Sequence, residues 1–359
     1  MRRIALGTAH RSVAAVGSAN DAHPRRVGDA LFGRIIDGVE QVVLPLRASN
    51  RVEWVRGEQL LLPRAAAAHG CDLVHSLAST APVRGRFRRV VTIHDLHYAV
   101  VPEAHFGLRG LGMRVLVPAA ARASHRIITD SQTTADDLGS HLGAPAGKVD
   151  VVPLGARLPE DVGATSEAEL RRNLSLADRP VLLSASAKRP HKNLLRLIEA
   201  FAGLPAPRPV LVLPGYPTPH EAQLRDRAAA LGVTADVRFL AWVSAEDLEG
   251  LYALATGFVF PSLYEGFGLP VLEAMARGVP VACSDRGAVA EVADGAARQF
   301  DPEDVAAICA ALGRLVTPGA DRERLVVAGY ARAREFTWER TAAGTMQTYL
   351  RAIQADVGR

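Results

Sequence analysis

Short apolar runs alternate along the chain with segments whose apolar positions recur at helical spacing. The runs of the first half fall at 3–6, 41–46, 73–75, 90–93, 126–129 and 149–152. A second series falls at 181–185, 210–213, 237–240, 257–260 and 279–282. Runs this short and this continuously apolar predict strands of parallel sheets covered by helices on both faces. Between them, Leu194, Leu197, Ile198 and Phe201 stand at i, i+3, i+4 and i+7, the stripe of a helix packed on such a sheet. A polar stretch at 159–165 and a short charged helix at 167–174 separate the two series and read as an interdomain connection. The pattern predicts an α/β protein of two doubly wound domains facing each other across a cleft. In such sheets ligands bind beyond the carboxyl ends of the strands, so the chemistry is sought just after each strand.

Composition narrows this picture little. The chain has 359 residues, enough for two domains with cores of their own, and 48% of them are hydrophobic against 22% charged. The net charge of +4 is too mild to argue for nucleic acid, though it suits phosphates or an anionic membrane surface. Cys71, Cys283 and Cys309 lie far apart with no Cys-x-x-Cys pair, which gives neither a disulfide framework nor a zinc site and fits a reducing compartment. No apolar run approaches the roughly 18 residues that span a bilayer. The opening residues carry no signal-peptide pattern, so a cytoplasmic location is expected.

The most informative segment runs from Pro261 to Met275, after the predicted strand 257–260. Gly266, Phe267 and Gly268 form a strand-to-helix turn, followed by Leu269 and by Pro270 at a first-turn position. Glycines there let the backbone approach a ligand, and a helix N-terminus favours an anion. Glu265 and Glu273 frame the turn; as anions they suit sugar or ribose hydroxyls rather than phosphate. A second constellation, Lys188-Arg189-Pro190-His191-Lys192-Asn193, places cations before a helix N-terminus, against its dipole. A diphosphate among them explains the arrangement, with Lys192 and Arg189 as its partners. For Lys188 and His191 a solvated basic turn competes with that reading. A third, His94-Asp95, ends a strand of the first domain, where a structural and a catalytic histidine are equally compatible with the sequence. His97 and His75 lie in similar terrain, and Ser131 reads as a helix N-cap.

At these residues the chain resembles glycosyltransferase family 4, the retaining family with the GT-B fold. The resemblance runs from about Glu58 to the C-terminus and takes in 91–96, the Ser131 turn, 151–155, the basic loop, 264–275 and the closing Phe336-Thr337-Trp338-Glu339-Arg340. Its paired glutamates, with seven residues between them, are met by Glu265 and Glu273. The resemblance implies that Glu265 holds the donor sugar with help from the amides of Gly266 to Gly268, and that Glu273 holds the ribose. It implies further that Arg189 and Lys192 neutralise the departing diphosphate, and that His94 meets a donor-sugar hydroxyl. The nucleotide base would lie near 238–242, at Trp242, where Ala241 replaces the usual glycine. The donor would be a UDP- or GDP-hexose and transfer would retain configuration, with no cofactor and no essential metal. The corresponding organisation is an acceptor-side domain at 1–155, a linker at 156–178, a nucleotide-sugar-binding domain at 179–337 and a helix at 338–359 returning toward the first domain.

One departure stands out: the first strand is followed by residues 7–12, which lack the family's tandem glycines. A non-catalytic subunit that binds or activates a partner is therefore the alternative to an active hexosyltransferase. An epimerase on the same fold fits the paired glutamates poorly, and no motif supports a nucleic-acid binder. The acceptor is open among polysaccharides, lipid-linked intermediates and small molecules. The segment 106–117, with Arg109 and Arg114 among leucines, fits either a peripheral membrane helix or a helix face packed on the sheet.

Overall fold

The computed structural model describes residues 4–7, 42, 44–46, 50–101, 108–156 and 163–354. Residues 8–12, 106–107 and 157–162, on which parts of the sequence reading fall, lie outside them. Contacts divide the chain into two compact units, Met1–Val152 with Ala342–Arg359, and Pro153–Thr341.

The first unit holds five parallel strands in sequential order: β1 (Ile4–Gly7), β2 (Leu73–Ser76), β3 (Arg88–Thr92), β4 (Arg126–Thr129) and β5 (Val149–Val151). Alternation along the strands explains why their runs are continuously apolar. Val91 and Ile127 pack with Val117 and Leu138 on one face, while Leu73, Val90 and Ile128 pack with Tyr349 and Ala352 on the other. The run at 41–46 is no strand at its described positions; Val42, Leu44 and Leu46 pack instead around Leu62 and Phe87. Helix Gln132–Leu142 begins where the sequence indicated, with Ser131 Oγ accepting from the amide of Thr134 at 3.1 Å.

The second unit holds six parallel strands: β6 (Val181–Leu183), β7 (Val210–Leu213), β8 (Val237–Phe239), β9 (Gly257–Phe260), β10 (Val281–Ser284) and β11 (Arg298–Phe300). Their order across the sheet is β11-β10-β9-β6-β7-β8. Val181, Leu183, Phe258 and Phe260 face helices Ala245–Leu254 and Leu269–Ala276; Leu182, Leu211 and Val259 face helices Leu194–Ala202 and Val305–Val316. Residues 163–178, read from the sequence as part of a linker, belong to this unit, where Leu170 and Leu176 are buried in the core. The strand order reverses between β6 and β9, which pair through Leu182–Gly257 and Leu183–Phe258. The two strands are parallel, so both deliver the loops that follow them to the same end of the sheet.

Candidate functional site

The two constellations of the second unit are the loops that follow β6 and β9. Sequence spacing had separated them; the switch in strand order brings them together. Lys192 Nζ lies 2.6 Å from Glu265 Oε1, and Ser262 Oγ donates to the same oxygen at 2.5 Å. Both ends of this ion pair are largely withdrawn from water, at 17% and 12% side-chain exposure, so the Coulomb attraction is screened less than at the surface. The Lys192 ammonium also stands over the Phe260 ring, 5.4 Å from its centroid. Beneath the pair the loops are stitched by backbone and amide bonds. Leu263 donates to the carbonyl of His191 at 2.9 Å, and Asn193 Nδ2 donates to Pro261 and Pro302 at 3.1 and 2.6 Å. Asn193 itself is left-handed at φ 57°, a conformation asparagine tolerates better than most residues.

The turn at 266–268 enters helix Leu269–Ala276 through Gly268, whose φ of 135° only glycine adopts without strain. Phe267 is buried in the core, edge-on to Phe336 at 5.8 Å. Leu269 is half-buried against the same core. Glu273 is half-buried one turn into the helix, with the hydroxyl of the fully buried Tyr252 donating to its Oε2 at 3.3 Å.

The basic loop divides by burial. Arg189 is exposed and its guanidinium makes no ion pair among the described residues. Lys188 and His191 are buried, so neither belongs to a solvated turn. The Lys188 ammonium donates to the carbonyls of Gly215 and Leu240 at 2.7 and 2.5 Å and lies 3.7 Å from Glu221, which offers an acceptor for each of its three protons. Burial pushes its pKa down, and the Glu221 carboxylate opposes that. These carbonyls precede the residues that carry an exposed aromatic pair, Tyr216 and Trp242, whose rings are 4.8 Å apart. Arg238, by contrast, donates to the carbonyls of Leu174, Ser175 and Ala235.

In the first unit, His94 follows β3 and is half-exposed. Its Nδ1 meets Asp130 Oδ2 at 2.6 Å and its Nε2 meets the carbonyl of Leu77 at 2.8 Å. The oxygen atoms facing both ring nitrogens favour a proton on each. Burial opposes the charge, but Asp130 with the Leu77 carbonyl outweighs it and raises the pKa to about 9. Asp95 accepts from the backbone and ring of His97, and though burial works the other way its pKa falls to about 2. His75 is the opposite of His94. Buried between Tyr349 Oη and Thr92 Oγ1, both at 2.8 Å, it is held neutral as burial, then the charge of His94, drives its pKa to about 3.

Sequence reasoning missed Ser262, Tyr252, Tyr216 and Asp130 as parts of these sites. A serine three residues before Glu265 was visible, but its aim was not. Tyr252 and Asp130 act across contacts of 21 and 36 positions, and Tyr216 through a ring contact with Trp242 that only the fold makes.

Among the described residues, no helix is long and apolar enough to cross a membrane. The family model for glycosyltransferase family 4 matches residues 8–158, and that for glycosyl transferases group 1 matches residues 166–332. O-antigen chain mannosyltransferase B of Escherichia coli is 33% identical over 271 residues, covering 73% of this chain and 70% of that protein. MMP alpha-(1->4)-mannosyltransferase of Mycolicibacterium hassiacum is 34% identical over 252 residues, covering 68% of this chain but 58% of the relative. Among solved structures, sucrose-phosphate synthase from Thermosynechococcus elongatus superposes with a TM-score of 0.74 at 21% identity, over 99% of this chain and 100% of that one. HepE of Anabaena, solved with UDP and glucose, gives 0.70 at 20% identity over 95% and 99%. The chain is a GT-B glycosyltransferase and belongs to glycosyltransferase family 4.

Proposed function

We propose that this chain transfers a hexose from a nucleotide-diphosphate sugar to an acceptor hydroxyl with retention of anomeric configuration. The observation that carries the reading is the Lys192–Glu265 pair at the strand-order switch, beside a glycine turn that opens a helix. A cation and a carboxylate fixed side by side match the two halves of such a donor, diphosphate and sugar hydroxyls. Two mannosyltransferases among the relatives favour mannose as the hexose.

In this reading the bond between the anomeric carbon and the diphosphate oxygen breaks while the acceptor oxygen bonds to the same face of that carbon. The acceptor proton passes to the departing phosphate oxygen, so no protein base is needed. Lys192, with Arg189, stabilises the negative charge that develops on the diphosphate. Glu265 and the amides of 266–268 hold the sugar, Glu273 holds the ribose, and Trp242 borders the base. His94, held by Asp130 and the Leu77 carbonyl, is assigned to a donor-sugar hydroxyl. Because lysine and arginine supply the positive charge, the reading calls for no divalent metal, and a chelator is expected to leave turnover unchanged.

The test is calorimetric titration of UDP and GDP into the wild type, Glu273→Ala and Lys192→Ala, followed by turnover with the matching sugar nucleotides. Micromolar binding of one nucleotide, weakened by both substitutions, supports the reading. Absence of binding by either nucleotide removes it.

A further inference from the structure

We propose that Tyr252 is a positioning residue for nucleotide recognition, its buried hydroxyl fixing the carboxylate of Glu273 in the orientation that accepts the ribose hydroxyls. The inference rests on the assignment of Glu273 to the ribose.

Tyr252 lies on helix Ala245–Leu254 and is 1% exposed, its ring 5.8 Å from that of Phe258. A phenol so deeply buried needs an acceptor for its hydroxyl, and it donates to Glu273 Oε2 at 3.3 Å. The assembly around it is fixed from a third side. The Arg277 guanidinium stands 5.0 Å from the Tyr252 ring centroid, donates to the backbone carbonyl of Glu273 at 2.9 Å and grips both carboxylate oxygens of Glu249. Glu249 shares a helix with Tyr252, and Arg277 immediately follows the helix of Glu273. Burial, then the neighbouring Glu273 charge, holds the tyrosine pKa well above its ordinary value, so the hydroxyl remains a donor throughout the working range.

Fixing the rotamer of a half-buried glutamate before the ligand arrives spares the ligand that ordering cost. A carboxylate accepts about four hydrogen bonds, so one from Tyr252 orients the group without exhausting it. The side chain is thus pre-organised for a pair of vicinal hydroxyls.

The experiment compares UDP, or GDP if that is the nucleotide bound, with its 2′,3′-dideoxy counterpart by calorimetry. Wild type, Tyr252→Phe, Glu273→Ala and the double variant are titrated below their thermal transitions, located first by circular dichroism. Tyr252→Phe is expected to weaken the ribonucleotide about fivefold to tenfold and to leave the dideoxynucleotide unchanged. In the Glu273→Ala background it should have no further effect. Equal loss of both ligands, or no loss of either, overturns the role of Tyr252 while Glu273→Ala still discriminates between them. If Glu273→Ala is itself indifferent to the ribose hydroxyls, the assignment of Glu273 fails and the inference with it.

Discussion

Lys192 and Glu265 meet at 2.6 Å although 73 positions separate them in the chain. They are neighbours because β6, the first strand of its sheet, pairs with the fourth, β9, and each strand delivers its loop to the same end. The consequence is electrostatic. In the ligand-free chain the cation assigned to a diphosphate is already neutralised by the acid assigned to the sugar, so donor binding exchanges one partner for another.

That exchange separates two substitutions that a simple list of site residues treats alike. Glu265→Gln keeps the side chain's shape but frees the Lys192 charge. It is expected to leave nucleoside-diphosphate affinity unchanged or tighter while lowering turnover about 10²–10³-fold. Lys192→Met leaves a carboxylate facing the diphosphate and should weaken both. Calorimetry with the free diphosphate and assay of released nucleotide read the two quantities. Equal loss of affinity in both variants would reduce the pair to a brace of the fold.

Arg189 offers a contrast within the same loop. It is exposed and makes no ion pair among the described residues, so its removal breaks none there. Arg189→Ala is expected to leave the melting temperature unchanged and to lower diphosphate affinity by less than Lys192→Ala. The deficit should shrink as salt is raised, because an exposed charge is screened. An unchanged salt slope would place Arg189 outside the phosphate site.

The two histidines of the first unit set opposite pH limits on its stability. His94 is raised to about 9, so its contribution is complete below its unfolded pKa near 6.5 and is lost as pH climbs through 9. Its side chain is 44% exposed, so solvent screening cuts this contribution to roughly 1 kcal/mol. His75 is lowered to about 3; its contribution is complete above about 6.5 and is lost as pH falls toward 3. Being buried, it carries the larger share, on the order of a few kcal/mol. Melting followed from about pH 4 to about pH 9.5 should show both limbs, the acid one flattened by His75→Gln and the alkaline one by His94→Gln. Limbs that persist in these variants would assign them to other groups.

Much of this fold was legible because buried parallel strands have to be apolar throughout. The runs at 126–129, 210–213 and 257–260 match their strands to the residue. β11 escaped because Arg298-Gln299-Phe300 is an edge strand three residues long with a single buried side chain. The run at 41–46 misled because apolar loop residues packed on a core give the same signal as a strand. In the candidate site, Glu265, Glu273 and Lys192 stood out as charges beside a glycine turn or a helix start. Tyr252, which meets Glu273, and Asp130, which meets His94, lie on other elements, where nothing local marks a tyrosine or an aspartate as one half of a pair.

Lys188 is the clearest case of a residue whose chemistry the sequence disguised, and it carries the last expectation. Its charge suggested solvent or phosphate; its ammonium instead ties the carbonyls of Gly215 and Leu240 together beneath Tyr216 and Trp242. The backbone there has no slack, since Gly215 at φ 143° would bring a Cβ to 2.0 Å from the Ser186 carbonyl. Lys188→Met leaves two carbonyls without their donor and Glu221 without the buried cation, a loss of about 3–5 kcal/mol. Gly215→Ala should disturb the same two loops through the backbone. Urea unfolding measures the stability. The emission of Trp242, observed with Trp54 and Trp338 replaced by Phe, reports whether the aromatic pair has separated. A Lys188→Met chain that loses less than about 1 kcal/mol and keeps the wild-type emission would show that the strands alone hold these loops.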